Sequence, residues 1–92
     1  MREDIDFVLG RRIRHRRRLL GMSQQELGAR CGVRFQQIQK YECAANRLSA
    51  AMLWRLCDAL QVEAGYFFDN IDGGPPPPPR VTGAGASGDA RG

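Results

Sequence analysis

Gln36, Gln37, Gln39 and Lys40 fall within five consecutive residues of the stretch GVRFQQIQKYE, residues 32–42. Each amide is donor and acceptor at once, and the ammonium group adds three donors, a set suited to a polar, negatively charged surface. All four surround a single aliphatic residue, Ile38. On a helix advancing about 100° per residue, with Ile38 at zero, Glu42 falls near 40°, Phe35 near 60° and Tyr41 near 300°. Those three lie on or beside an inward face. Gln39, Gln36 and Lys40 fall near about 100°, 160° and 200°, facing away, and Gln37 lies at roughly 260° on the outer flank. A face made only for solubility would pair Glu with Lys. This one carries amides and a cation with no outward acid.

The charge of the chain indicates what such a face would meet. The protein has 92 residues and a formal net charge of +4, unevenly spread. Residues 7–60 hold eleven Arg or Lys against three acids, or +8, while the segments before and after each sum to −2. A basic body of this kind implies a polyanionic partner, either nucleic acid or an anionic membrane surface. No run of about eighteen apolar residues marks a membrane span. The N-terminal MREDIDF is acidic rather than basic and apolar, so no signal peptide is expected. Cys31, Cys43 and Cys57 are odd in number and include no C-x-x-C pair, and His15 is the one imidazole. Neither a metal site nor a disulfide framework fits that spacing, so free thiols in a reducing cytoplasm are expected, with no cofactor. No Ser-His-Asp set, P-loop or Gly-rich cradle is present, and an enzyme is not expected.

The elements that must position the amides are helical. Residues 5–20 read as a first helix whose Leu9, Ile13 and Leu20 make an inward stripe within about 40°. Arg11, Arg14 and Arg18 lie opposite it and read as a solvated face; Arg16 and Arg17 flank it, and Gly21 stops the helix. Ser23 and Glu26 form a capping box that opens a second helix of about eight residues, with Leu27, Gly28 and Cys31 inward. Gly32 centres a tight turn, and the third helix covers residues 35–42. After the CAANRL loop, Ser49 caps a fourth helix in which Leu53, Leu56, Cys57 and Leu60 follow i, i+3, i+4, i+7 spacing. Val62, with Phe67 and Phe68 in a short fifth helix, would close the core. No alternating β-branched segment competes, so the class is all-α, with one domain over 5–68. Residues 69–92 are Gly- and Pro-rich with almost no apolar content, and read as a disordered tail. Its five consecutive prolines suit either a proline-recognising domain or a stiff spacer.

The basic first helix ending in Gly21, MSQQEL, the CGV turn, Ile38 and Glu42 four apart, and Ser49 opening an amphipathic helix form one long pattern. Over about residues 9–68 it resembles the lambda-repressor/Cro-like helix-turn-helix family of bacterial and phage regulators, also called the xenobiotic-response-element family. The resemblance implies a five-helix bundle whose second and third helices form the helix-turn-helix, the third entering the DNA major groove. Gln pairs bidentately with adenine N6 and N7, and Lys donates to guanine O6 and N7. Base contacts are therefore expected first from Gln36 and Lys40, then from Phe35 and Gln39. Phe35 either meets a thymine methyl or packs partly against the second helix. Backbone contacts are expected from Gln24 at the second helix N-terminus, and from Asn46 and Arg47 in the loop. Gln37 suits a base or a phosphate. Arg34 replaces the usual Ser or Thr N-cap and suits a phosphate. The family also implies a structural ion pair between Arg17 and Glu42.

Other positions depart from that pattern. Arg16 replaces an apolar residue, its stem expected along the core and its head in water. Gly28 replaces an Ala, fitting sterically at some expense of helix propensity. Cys43 and Ala44 replace a polar residue and Gly, and Gln61 stands where Gly often ends the fourth helix.

A membrane-surface or RNA-binding basic helix is a second class of function, but the first helix lacks a wide apolar face and no aromatic platform lies among the arginines. An antitoxin-type protein-interaction module shares this fold and leaves a protein partner open. The reading is a sequence-specific, double-stranded DNA-binding transcriptional regulator, repressor-like, cytoplasmic and nucleoid-associated. A homodimer on an inverted repeat is expected, with half-sites about one turn apart and contacts from Trp54, Tyr66, Phe67 or Phe68.

Overall fold

Five helices account for most of residues 4–71, the part of the chain that the computed structural model describes. They are α1 (Ile5–Leu19), α2 (Gln24–Cys31), α3 (Phe35–Glu42), α4 (Ala50–Leu60) and α5 (Gly65–Phe68). No strand occurs among the described residues, in keeping with the all-α class read from the sequence.

The starts of α1, α2 and α4 are set by side-chain caps. Asp4 accepts from the Asp6 amide at 3.1 Å. Ser23 Oγ accepts from the Glu26 amide at 3.0 Å while Glu26 Oε1 accepts from the Ser23 amide at 2.8 Å, completing the capping box. Ser49 Oγ accepts from the Met52 amide at 3.0 Å. Such caps satisfy backbone donors that a helix leaves open at its first turn. At the other ends, Gly32 is left-handed (φ 75°), as the turn after α2 requires, and Gln61 takes the same conformation (φ 59°) after α4.

Every helix sends at least one side chain to full burial: Ile13, Leu27, Ile38, Leu56, Leu60 and Phe67, joined by Val62. Each such burial is worth up to about 1.5–3 kcal/mol. Leu20, Leu53 and Cys57 pack half-buried against this core. Phe68 does not join it and is 41% exposed. Its neighbours Tyr66 and Phe67 take the inward positions of this short helix.

Arg16 is placed differently from the sequence reading, and Arg12, which that reading did not place, turns inward as well. The Arg16 guanidinium is not in water; its Nε donates to the Leu60 carbonyl at 2.9 Å. Arg12, 3% exposed, donates to the carbonyls of Tyr66 (3.0 Å) and Asn70 (3.0 Å) and also to that of Asp69. Both cations therefore meet the negative ends of helices, α4 and α5, whose last carbonyls lack partners within the helix. Asp69 and Asn70, which were expected to start a disordered tail, are held by Arg12. From residue 72 onward that tail, with Pro75–Pro79, lies outside the described residues.

α1 crosses α3 at Gly10. A Cβ added there would lie 2.5 Å from the Tyr41 carbonyl oxygen and 2.7 Å from that of Glu42. Both are backbone atoms of α3 and cannot swing aside, so Gly10→Ala must push the helices apart. It is expected to lower stability by about 1–3 kcal/mol in urea unfolding. Gly65→Ala, whose Cβ would meet only Asp69 oxygens at 3.7 and 3.9 Å, should leave stability unchanged or raised.

Candidate nucleic-acid interface

α2 and α3 are joined by residues 32–34, whose backbone packs tightly against α2. The Val33 amide donates to the Gly28 carbonyl at 2.9 Å. A Cβ on residue 28 would stand 2.7 Å from the Val33 carbonyl oxygen. Gly28 was expected to fit where relatives carry Ala, with only a propensity loss. Here the turn backbone passes so near that residue 28 has no room for a Cβ.

That turn fixes the direction of α3. Ile38 is fully buried, while Gln36, Gln39 and Lys40 are exposed. Phe35 is at the margin of exposure, 37% exposed. Gln37 is half-buried, and its Nε2 donates to the Tyr41 hydroxyl at 2.9 Å, which fixes the direction of its amide. Arg34 is exposed and makes no cap bond to α3.

Beneath the exposed face lies a buried polar network. Arg17 Nε donates to Glu42 Oε2 at 2.6 Å, Arg17 NH2 donates to Oε1 at 3.1 Å, and Gln24 Nε2 donates to Oε1 at 3.0 Å. Arg17 NH1 adds the Met22 carbonyl at 2.8 Å. One carboxylate thus joins α1, the start of α2 and the end of α3. The Gln24 amide, expected at a phosphate, spends one donor inside this network.

The loop after α3 folds back upon it. Ala45 and Asn46 amides donate to the Lys40 carbonyl at 2.8 and 3.3 Å. Ala44 takes φ 64°, a left-handed conformation that costs a non-glycine residue about 1–2 kcal/mol. Asn46 is half-buried. Arg47 pairs with Asp6 at 3.2 Å, but its side chain is 89% exposed, and such a pair holds its partners weakly.

Tyr66 and Phe67, expected among the dimer contacts, are buried in the core and are withdrawn from that role. Their rings pack edge to face at 5.3 Å. Trp54 (78% exposed) and Phe68 remain on the surface. Burial pushes the thiols of Cys31 and Cys57 above their ordinary value, so both stay protonated near neutral pH. Among the described residues no His, Cys, Asp and Glu cluster is able to hold a metal, and no helix is long and apolar enough to cross a membrane.

A family model described as helix-turn-helix matches residues 13–67. The chain belongs to the helix-turn-helix family. Its lambda-repressor/Cro-like resemblance is shown by the relatives and folds it matches. It is 51% identical over 67 residues to an uncharacterized HTH-type transcriptional regulator, y4aM, of Sinorhizobium fredii, covering 73% of this chain and 47% of the relative. It is 46% identical over 72 residues to an uncharacterized transcriptional regulator in the ATPase CF(0) region of Rhodospirillum rubrum, covering 78% and 67%. This helix-turn-helix chain spans about half the length of several curated relatives it matches. Among solved structures, it is 34% identical to the P22 c2 repressor in complex with a synthetic operator, with a TM-score of 0.61 over 64% of this chain and 89% of that one. The restriction-modification controller protein C.AhdI of Aeromonas hydrophila matches with 25% identity and a TM-score of 0.66, over 68% and 96%.

Sequence reasoning missed the burial of Arg12 and the closeness of Gly10 and Gly28 to backbone. The four-residue spacing of Arg12 and Arg16 was the available signal, since it places both on one side of α1.

The network makes a direct stability test. Glu42→Leu strands the Arg17 cation and should lower stability by about 3–5 kcal/mol. Arg17→Met combined with Glu42→Leu should lose less than the two single variants summed. Chemical denaturation of the four proteins in a double-mutant cycle measures the difference.

Proposed function

We propose that this chain is a sequence-specific, double-stranded DNA-binding transcriptional regulator, repressor-like, with α3 as the helix that enters the major groove. The observation that carries the reading is the outer face of α3. Gln36, Gln39 and Lys40 stand exposed beside a turn that fixes their direction, and the one acid of the helix, Glu42, is buried. The P22 c2 repressor, of similar fold and 34% identity, was solved with an operator, which supports DNA as the partner here.

Gln36 and Lys40 are assigned the base edges, with Phe35 and Gln39 beside them. Gln bidentate to adenine and Lys to guanine discriminate among base pairs in the major groove. Gln24, Gln37, Arg34, Asn46 and Arg47 are assigned the sugar–phosphate backbone, which positions the protein and supplies most of the salt dependence. Arg47 leaves its exposed partner Asp6 at little loss, since exposed pairs contribute under about 1 kcal/mol.

The protein acts as a homodimer on an inverted repeat in the bacterial cytoplasm. Trp54 and Phe68 supply the exposed apolar surface for self-association. Trp54 lines an apolar groove of about 430 Å³ with Leu53, Cys57 and Val62. Sedimentation of the 92-residue chain should show a dimer, and Trp54→Ala should shift it toward monomer. A wild type that stays monomeric at high concentration removes the dimer from this reading.

In-vitro selection from random duplex DNA tests the reader. The wild type should enrich one motif, and Gln36→Ala and Lys40→Ala should each lose preference at particular bases. The loss should be about 1–3 kcal/mol of discrimination, with non-specific binding retained. If no motif emerges, α3 does not read sequence.

A further inference from the structure

The groove beside Trp54 is apolar and acidic on a protein that is otherwise basic. It runs along α4 from Ala50 to Asp58 and is also lined by Val62, Glu63 and Ala64. Trp54, 78% exposed, is its largest side chain. The charged residues lining it are Asp58 and Glu63, both acids, with no cation beside them among the described residues. Residues 7–60 hold only three acids. Glu26 belongs to the capping box and Glu42 to the buried ion pair, whereas Asp58 stands exposed in the groove.

We propose that this groove takes the PPPPPR segment, Pro75–Arg80, of a second copy of the chain, the prolines lying on Trp54 and Arg80 meeting Asp58. The proposal rests on the homodimer reading above and names what fills the groove in that dimer.

The segment carries both chemistries that suit the groove, a run of apolar rings and a cation directly after it. Consecutive prolines favour an extended left-handed helix before they bind, so docking orders little, and their rings pack into aromatic-lined grooves. The lengths agree as well. From Ala50 to Asp58 an α-helix rises about 12 Å, and the four steps from Pro75 to Pro79 rise about 12 Å. With the prolines laid along α4 toward its C-terminus, Arg80 arrives at Asp58.

The same groove of a second copy is a poorer occupant. Two grooves set face to face gather Asp58 and Glu63 of both copies around one contact, where like charges repel. A tail in each groove replaces that repulsion with attraction, and two-fold symmetry makes the exchange twice. Exchange is also favoured by where the bundle releases the chain. Arg12 holds the carbonyls of Asp69 and Asn70 against α1, and four residues, 71–74, separate that anchor from Pro75. Short hinges favour pairing with a neighbouring copy over folding back.

Trp54 is the one tryptophan of the chain, so its fluorescence reports the groove directly. The test follows that emission and the sedimentation of the full chain through a dilution series at low salt, where charge pairs are least screened. Emission should move to shorter wavelength as the dimer forms and return on dilution. The variant carrying Pro75→Gly through Pro79→Gly should raise the dimer dissociation constant about tenfold or more and lose most of the shift. Arg80→Glu and Asp58→Arg should each raise that constant about two- to fivefold, and the two reversals together should bring it back toward the wild-type value. The proposal is overturned if the proline variant keeps the wild-type constant and emission, or if the double reversal dimerises no better than the single ones. It is overturned equally if the shifted emission persists in the monomer on dilution, which puts the chain's own tail in the groove. Any of these results with a wild-type dimer present leaves the homodimer reading standing and removes only the exchanged tail. A wild type that stays monomeric and unshifted at every concentration removes both.

Discussion

The carboxylate of Glu42 is the point at which three helices are tied. An ion pair buried in this way does not stabilise a fold by attraction alone, because removing two charges from water offsets most of the Coulomb gain. Its effect is to make wrong arrangements expensive. With Arg17 in place, any shift of α3 along α1 leaves a buried charge without its partner. Gly10 acts at the same spot from the steric side, since its missing Cβ lets α1 settle on the carbonyls of Tyr41 and Glu42. Gly10 and Arg17 are seven residues apart, two turns of one helix face. One admits the close approach and the other fixes its register. The direction of Gln36, Gln39 and Lys40 follows from both.

A basic protein that meets a polyanion must also fold without one. The inward arginines solve that problem with backbone oxygens. Arg16 and Arg12 sit at the ends of α4 and α5, where carbonyls have no donor in the helix. Those carbonyls satisfy the guanidinium groups without adding acids that would repel DNA. The same contacts close the bundle, because they bind α1 to the two C-terminal helices.

Much of this was legible in the sequence because it depends on neighbours close along the chain. Ser23, Ser49 and Gly32 mark helix ends through contacts within three residues, and α3 lies where the Ile38 pattern placed it. The outward set on α3 was legible for the same reason, since periodicity alone separates it from Ile38. The targets of Arg12 and Arg16 were not legible. Their acceptors are backbone carbonyls, which every residue carries, so no residue type announces them. The hydrogen bond from Gln24 to Glu42 was hidden likewise, because it spans elements whose crossing is set by Gly10 and Gly28. Tyr66, Phe67 and Phe68 could not be sorted, since one turn of helix is too short for a period to show.

The clasp made by Arg12 joins positions 54 to 58 residues apart, whereas α2 and α3 meet across three residues. Closing a long loop costs more entropy than closing a short one, so contacts near in sequence form first. A four-residue helix has no persistence of its own in water. The helix-turn-helix pair is therefore an early product of folding, and α5 docks late, when α1 is already in place to receive it. The element fastened last is also the one that leads into the chain beyond residue 71, so a pull from that side acts first on the Arg12 clasp and only afterwards on the helices that face outward.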